Sequence, residues 1–294
     1  MDRHLAEARS LKSGRPLARP ARAADKELEA GSRAHYDDAA YYTKTYQRRK
    51  DDVAYYVELA RRHGGKVLEY GVGNGRIALP VARQRIAVTG LDLSRPMLDD
   101  FESQLALEPA EVRRRVTLRW GDMRRVRFRT KFDLITCPFN AFLHLYTRDD
   151  VERFLAKVLG HLAPGGTFAF DVSMPNAHEL VRDPNRAYYC PRFRYPSTGE
   201  MVRYTERFDY DQARQILFVM MEFFPEGHPK DSWVTPLAHR QFYPQELEAL
   251  LYANGLTIER AWGDYKKTAL DRYSEVMVFE TRRRRGFRSS GRTV

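Results

Sequence analysis

The stretch Lys66-Val67-Leu68-Glu69-Tyr70-Gly71-Val72-Gly73-Asn74-Gly75-Arg76 decides the fold of this 294-residue chain. Its first five residues read as a short buried strand with an acid near its end, and three glycines then alternate into a helix. Glycine lets the backbone turn through positive φ and lets a ligand lie against bare main chain. Ile86-Ala87-Val88-Thr89-Gly90-Leu91-Asp92 reads as a second strand ending in a second acid, 17 residues after Gly75. An acid at that tip is placed to accept hydrogen bonds from ribose hydroxyls in a doubly wound α/β fold. Together the two elements predict a nucleoside-cofactor site. A dinucleotide is disfavoured, because the G-x-G-x-x-G fingerprint puts a small residue at position 76, where this chain has Arg76.

Outward from this stretch, strand and helix alternate, as in a mainly parallel sheet. Strands are expected near 66–70, 86–92, 116–120, 132–137 and 167–172. Between the last two, Val151, Phe154, Leu155, Val158, Leu159 and Leu162 form one helical apolar stripe, which Thr147 and Asp150 can cap. Pro164-Gly165-Gly166 should end that helix and turn into the fifth strand. Past Val172 the texture changes. Residues 173–199 read as loop, and β-like runs over 201–210, 215–224 and 233–243 suggest antiparallel strands inserted beside the main sheet. A helix over 244–254 starts on Pro244 and stops at Gly255, and strands near 256–264 and 274–282 fit a closing hairpin.

Upstream, residues 35–62 read as helical and tyrosine-rich, with Tyr36, Tyr41, Tyr42, Tyr46, Tyr55 and Tyr56. The expected organisation is a mobile basic leader over 1–34, a helical cap over 35–65, a main domain over 66–281 with an insertion at about 176–242, and a basic tail over 282–294. The net charge of +11 sits mostly at the ends. Residues 282–294 hold six arginines and no acid, whereas residues 35–281 carry 36 Lys/Arg against 34 Asp/Glu. The body is nearly neutral, so a specific nucleic-acid partner is not expected. No apolar run approaches the roughly 20 residues of a membrane helix, and no secretory leader is read at the start, so no membrane partner is expected. Two cysteines, Cys137 and Cys190, make neither a disulfide framework nor a metal cluster, which points to a reducing cytoplasm and no metal.

The pattern Glu69-x-Gly71-x-Gly73-x-Gly75 resembles motif I of the class I S-adenosylmethionine-dependent methyltransferases. Four further blocks follow in the family's order: LDLS (91–94), GDM (121–123), FDLITCPFNAFLHL (132–145) and LAPGGTFAFDV (162–172). The resemblance spans roughly residues 36–281 and is most specific between 66 and 172. It implies a Rossmann-like, doubly wound, seven-stranded mainly parallel sheet with an antiparallel last strand and an inserted small antiparallel β region. The implied cofactor is S-adenosyl-L-methionine. Gly71, Gly73 and Gly75 should line its methionyl part, with Tyr70 also at the cofactor and Glu69 fixing either the loop or the cofactor ammonium. Asp92 should hold the ribose, and Leu93 and Met97 should pack on the adenine. Gly121, Asp122 and Met123 should address the adenine amino edge.

Two further details are similar to the glycine and sarcosine N-methyltransferase-like branch. Tyr42 and Arg49 have the seven-residue spacing of a tyrosine near the methyl group and an arginine on the cofactor carboxylate. Pro138-Phe139-Asn140-Ala141-Phe142-Leu143-His144 resembles that branch's Asn-x-Phe-x-His loop, which implies Pro138 and Phe139 beside the cofactor and Asn140, His144 and Tyr42 as catalytic candidates. The chain departs from the glycine-specific pattern after its fifth strand, where Asp171-Val172-Ser173-Met174-Pro175 offers no arginine. Tyr188, Tyr189, Arg192, Arg194, His239, Arg240 and Tyr243 are candidates for an acceptor pocket. The expected activity is methyl transfer to a small molecule, nitrogen before oxygen. The rivals are a macromolecular methyltransferase using the arginine tail and a non-catalytic interaction protein. Exposed aromatics over 188–243 leave a homodimer open.

Overall fold

The computed structural model describes residues 26–287. Helix α1 (Lys26–Gly31), a 3-10 turn (Ala34–Tyr36), α2 (Ala39–Tyr46) and α3 (Asp51–His63) lead into β1 (Lys66–Tyr70). Then come α4 (Ala78–Arg83), β2 (Ala87–Asp92), α5 (Arg95–Ala106), α6 (Ala110–Arg113), β3 (Val116–Trp120) and β4 (Phe132–Cys137). A 3-10 turn (Ala141–His144) precedes α7 (Arg148–His161) and β5 (Leu162–Ser173). After α8 (Ala177–Leu180), four strands follow: β6 (Tyr188–Arg194), β7 (Met201–Asp211), β8 (Ile216–Pro225) and β9 (Trp233–Arg240). Helix α9 (Pro244–Ala253), β10 (Leu256–Trp262) and β11 (Val276–Arg283) complete the described chain.

The main sheet has the order β10-β11-β5-β4-β1-β2-β3, and the small one the order β6-β7-β8-β9. Strands β1 to β5 pair in parallel, while β11 runs antiparallel to both β5 and β10. The expected doubly wound sheet with its antiparallel last strand is therefore present. Reversal of order between β1 and β4 opens a crevice at their carboxyl ends, beside the tip of β2.

Both faces of this sheet are covered. On one side α7 and α9 close over Phe154, Leu155, Phe168, Phe170 and Phe279, and on the other α3, α4 and α5 close over Tyr55, Leu59, Val81 and Phe101. The stripe predicted for α7 is buried throughout, and Thr147 and Asp150 form a reciprocal capping box. Residues 67, 68 and 70 are all buried because β1 lies between two helical layers.

Several expected boundaries are corrected. Residues 26–34, read as leader, form α1 and begin the following turn, and Gly31 lies so close to Ala238 of β9 that a Cβ there would come within 2.6 Å of the Ala238 Cβ. Residues 1–25 of that leader lie outside the described residues. The cap is not one helix: Asp38 accepts from the Tyr41 N–H and starts α2, and Asp51 and Asp52 start α3. Strand β6 emerges from the segment read as loop. It lies at the sheet edge, where Pro191 is accommodated at a register shift between Cys190 and Phe193. Among the arginines read as tail, some are tied to the fold: Arg282 pairs with Glu259 at 2.9 Å, and Arg284 lies 4.2 Å over the Tyr252 ring.

Candidate active site

At the end of β1, Gly71 has φ +69°, and a Cβ there would come within 2.7 Å of Ala141. The turn brings the Gly71 and Val72 N–H groups onto the Leu91 carbonyl at 2.8 and 3.1 Å, so the loop is tied to β2. Asp92 completes the tie, its Oδ2 accepting from the Gly73 N–H at 2.7 Å and its Oδ1 from the Ser94 N–H at 2.8 Å. Burial lifts this carboxyl above the usual carboxylate range, against the pull of those backbone donors. Each oxygen keeps a lone pair for a ligand hydroxyl. Glu69 lies beneath the loop, 2% exposed, and its Oε2 has no partner among the described residues. Burial pushes its pKa up to about 8, although Arg76 pulls the other way.

The far wall comes from β3 and β4. Asp122 is gripped by Arg124, with Nη2 to Oδ2 at 2.8 Å, and Arg124 also reaches Asp150 at 2.6 Å. Burial opposes charge on Asp122, but these arginine contacts hold its carboxyl below the usual range. Phe139 and Asn140 both adopt positive φ, at 54° and 64°. This strained turn is pinned by Asp171, whose two oxygens accept from the Phe139 N–H at 3.0 Å. Tyr56 and Tyr265 donate to the same carboxylate at 2.6 and 3.0 Å.

The roof is the segment from Ser32 to Tyr42. Ser94, the N-cap of α5, donates its hydroxyl to the Tyr36 carbonyl at 3.0 Å. Tyr36 and Tyr42 face the cavity, with Tyr42 packed edge-on to Tyr46 at 4.7 Å between ring centres. Behind them His144 is hydrogen-bonded on both ring nitrogens, Nε2 to Tyr36 Oη at 2.8 Å and Nδ1 to Tyr146 Oη at 3.0 Å. Burial, with His35 nearby, lowers the His144 pKa to about 4, so the ring is neutral at physiological pH. The cavity, partly open to solvent, measures about 360 Å³.

The structure gathers most of the expected residues. Gly71, Gly73, Asp92, Leu93 and Met97 line one side, and Gly121, Asp122, Met123, Pro138 and Phe139 the other. Tyr42 and His144 complete it from the roof and the far end. Five do not line the cavity, and the first is Glu69, which stays buried beneath the glycine loop. Tyr70 points to the opposite face of the sheet, where its hydroxyl meets His161 Nδ1 at 2.7 Å. Gly75 serves packing: a Cβ would sit 2.3 Å from the Phe101 ring. Asn140 turns to the end of β5, its amide donating to Ser173 Oγ at 2.9 Å and its oxygen accepting from the Ser173 N–H at 2.7 Å. Arg49 is exposed, its guanidinium 5.6 Å from the Phe139 ring centre.

Arg76, the residue that spoiled a dinucleotide reading, makes a two-pronged ion pair with Asp52 and lies 4.5 Å over Phe139. The residues proposed for an acceptor pocket also stand outside the lining. Tyr189 is exposed, Arg240 pairs with Glu246, and His239 packs 5.1 Å behind His144. Sequence reading passed over Tyr36, Ser94, Trp120 and Tyr146, all of which line the cavity. Ser94-Arg95-Pro96 is a helix-start pattern that would have flagged Ser94. Tyr146 carries no local signal.

A family model described as a methyltransferase domain matches residues 67–166, the span from β1 into β5. The chain is an S-adenosylmethionine-dependent methyltransferase. A putative methyltransferase of Bacillus subtilis (strain 168), YqeM, is 24% identical over 230 residues, which cover 78% of this methyltransferase and 88% of that protein. The CcbJ methyltransferase from Streptomyces caelestis shares the fold, with a TM-score of 0.72 at 22% identity, covering 86% of this chain and 99% of that one. The glycopeptide N-methyltransferase MtfA, solved with S-adenosyl-L-methionine, aligns at 26% identity and a TM-score of 0.52, over 79% and 93% of the two chains. The methyltransferase therefore uses S-adenosyl-L-methionine. The site fits it: a bare glycine turn and a strand-tip Asp92 with spare acceptor capacity meet at one crevice, and the buried Oε2 of Glu69 just beneath the turn has no partner among the described residues.

Proposed function

We propose that this methyltransferase transfers the methyl group to the nitrogen of a small-molecule amine. The observation that carries the reading is the state of His144. It is the one imidazole on the cavity wall among the described residues, and it is neutral and already bonded on both nitrogens. With a pKa near 4 it is a poor base for a hydroxyl that must lose a proton to become nucleophilic. A neutral amine brings its own lone pair and asks only for alignment. The cavity of about 360 Å³ favours a small acceptor, and a relative of this fold is named as a glycopeptide N-methyltransferase.

When bound, S-adenosyl-L-methionine supplies a cationic sulfonium methyl group for direct displacement. Gly71 and Gly73 would admit its methionyl part, Glu69 would meet the ammonium, and Asp92 would hold the ribose. Leu93 and Met97 would cover the adenine on one side, with Gly121, Asp122 and Met123 at its edge. Tyr42, Pro138 and Phe139 would close the wall around the sulfonium, where aromatic faces favour a cation. The protein's contribution is orientation and dryness, which can be worth an effective molarity on the order of 10⁵ M.

No helix among the described residues is long and apolar enough to cross a membrane, and Cys137 and Cys190 are free, consistent with a cytoplasmic enzyme. The test measures S-adenosylhomocysteine release with benzylamine, tyramine, glucosamine and sarcosine, set against p-cresol. Turnover of one or more amines with none for p-cresol is expected. Preference for the phenol would overturn the assignment to nitrogen.

A further inference from the structure

We infer that Tyr36 is the residue that orients the acceptor amine, and that a one-way hydrogen-bond chain from the inserted sheet makes its phenol a pure acceptor towards the cavity. The inference rests on the amine reading above and goes beyond it by assigning Tyr36 a role and by setting which amines react. The chain is read from its far end. Tyr146 donates its hydroxyl to the Ala238 carbonyl of β9 at 3.0 Å. A phenol has one proton, so towards His144 the Tyr146 oxygen can only accept, and the 3.0 Å contact is an Nδ1–H donation. A neutral imidazole carrying its proton on Nδ1 has a bare Nε2. That nitrogen lies 2.8 Å from Tyr36 Oη and must accept the Tyr36 proton. Burial keeps His144 neutral, so the direction is not reversed by protonation near pH 7.

Tyr36 is held in this pose from both sides. Ser94 donates to its carbonyl at 3.0 Å, and its ring packs edge-on against His144 at 5.5 Å. With its only proton committed to His144, its oxygen presents lone pairs alone to the cavity it lines. An amine can then bind through an N–H and keep its own lone pair free for the methyl carbon. A phenol free to donate would instead cap the amine lone pair, which has to be released before attack. The inserted sheet acts from a distance: the Ala238 carbonyl sets the direction of every hydrogen bond up to Tyr36.

This predicts the acceptor class. The nitrogen must carry an N–H to be held, so primary and secondary amines react and a tertiary amine does not. Methylation stops at the dimethylated product without a quaternary ammonium.

The test has a spectroscopic arm and a kinetic arm. Nitrogen-15 NMR of the full chain with S-adenosylhomocysteine should show His144 protonated at Nδ1, and Tyr146→Phe should shift it towards the Nε2–H tautomer. With the fastest amine of the panel, Tyr36→Phe should lower kcat by about tenfold or more. Its melting temperature and S-adenosylhomocysteine affinity should stay near wild type. The N,N-dimethyl form of that amine should give no product. An Nε2–H tautomer in wild type, a Tyr36→Phe kcat within twofold of wild type, or quaternary product would each overturn the inference. An Nδ1–H signal with no amine turned over would instead remove the amine reading and leave the hydrogen-bond chain standing.

Discussion

The glycine crevice and the tyrosine–histidine roof close one cavity from opposite sides, and they are built in opposite ways. In the crevice the decisive contacts link near neighbours: the Gly73 N–H meets Asp92 over a separation of 19 residues. In the roof they are distant, with Tyr36 to His144 spanning 108 residues and Tyr146 to Ala238 spanning 92. The crevice is a problem of backbone sterics, which a few glycines and an acid solve wherever they recur. The roof is a problem of side-chain placement, solved by whichever residues the packing brings together. Cofactor chemistry is therefore written in short motifs here, and acceptor chemistry is not.

The largest expected effect tests the crevice. Gly71→Val places a branched side chain at φ +69° and drives it into Ala141, so S-adenosylhomocysteine binding should vanish in calorimetry. Wild-type affinity in that variant would mean that the cofactor lies elsewhere. Asp92→Ala comes next. It orphans the Gly73 and Ser94 N–H groups and removes the ribose partner, and affinity should fall by about a hundredfold, or roughly 3 kcal/mol.

The roof should respond more mildly. Gly31→Val forces α1 off Ala238 and should weaken S-adenosylhomocysteine binding by about tenfold, mainly through faster release. An unchanged dissociation rate by stopped flow would show that the roof does not retain the cofactor.

The smallest effect concerns protons. Glu69 has a folded pKa of about 8 against an ordinary value of 4.5, so the folded state holds the extra proton between those values. Its contribution to stability is full below 4.5 and is lost as pH rises through 8, and Glu69→Gln should flatten that loss in thermal melts. An ammonium beside Glu69 favours the carboxylate, so S-adenosylhomocysteine binding near pH 7 should release close to one proton. Calorimetry in buffers of different ionisation enthalpy measures this, and no release would separate Glu69 from the ammonium. His144 behaves in the opposite sense. Its pKa near 4 means that the unfolded state takes up the proton first, and stability should fall as pH drops from 6.5 towards 4.

Much of the fold was legible because its signals are periodic. Strands β1, β3 and β4 lie where alternation with helices put them, and the α7 stripe is buried as its spacing required. Where reading failed, a local pattern lost to packing. Tyr70 and Gly75 sit inside motif I yet face away from the cavity, because a β-strand sends successive side chains to opposite faces and the turn behind it must clear Phe101. Asn140 fits the expected loop in spacing, but its left-handed backbone directs the amide to Ser173. Arg76, which counted against a dinucleotide, is the partner of Asp52, a pairing that requires α3 to lie across the loop.

By itself the amino-acid sequence determined the doubly wound sheet, the glycine turn and the acid that answers it, because periodic burial and the φ allowed to glycine act over a few residues. Only tertiary structure decided that Tyr36, His144, Tyr146 and Ala238 form one chain, and which way its protons point. Hydrogen-bond direction depends on the last acceptor in the series. Here that acceptor is a main-chain carbonyl of β9, a group that every residue carries and that no side-chain motif can announce.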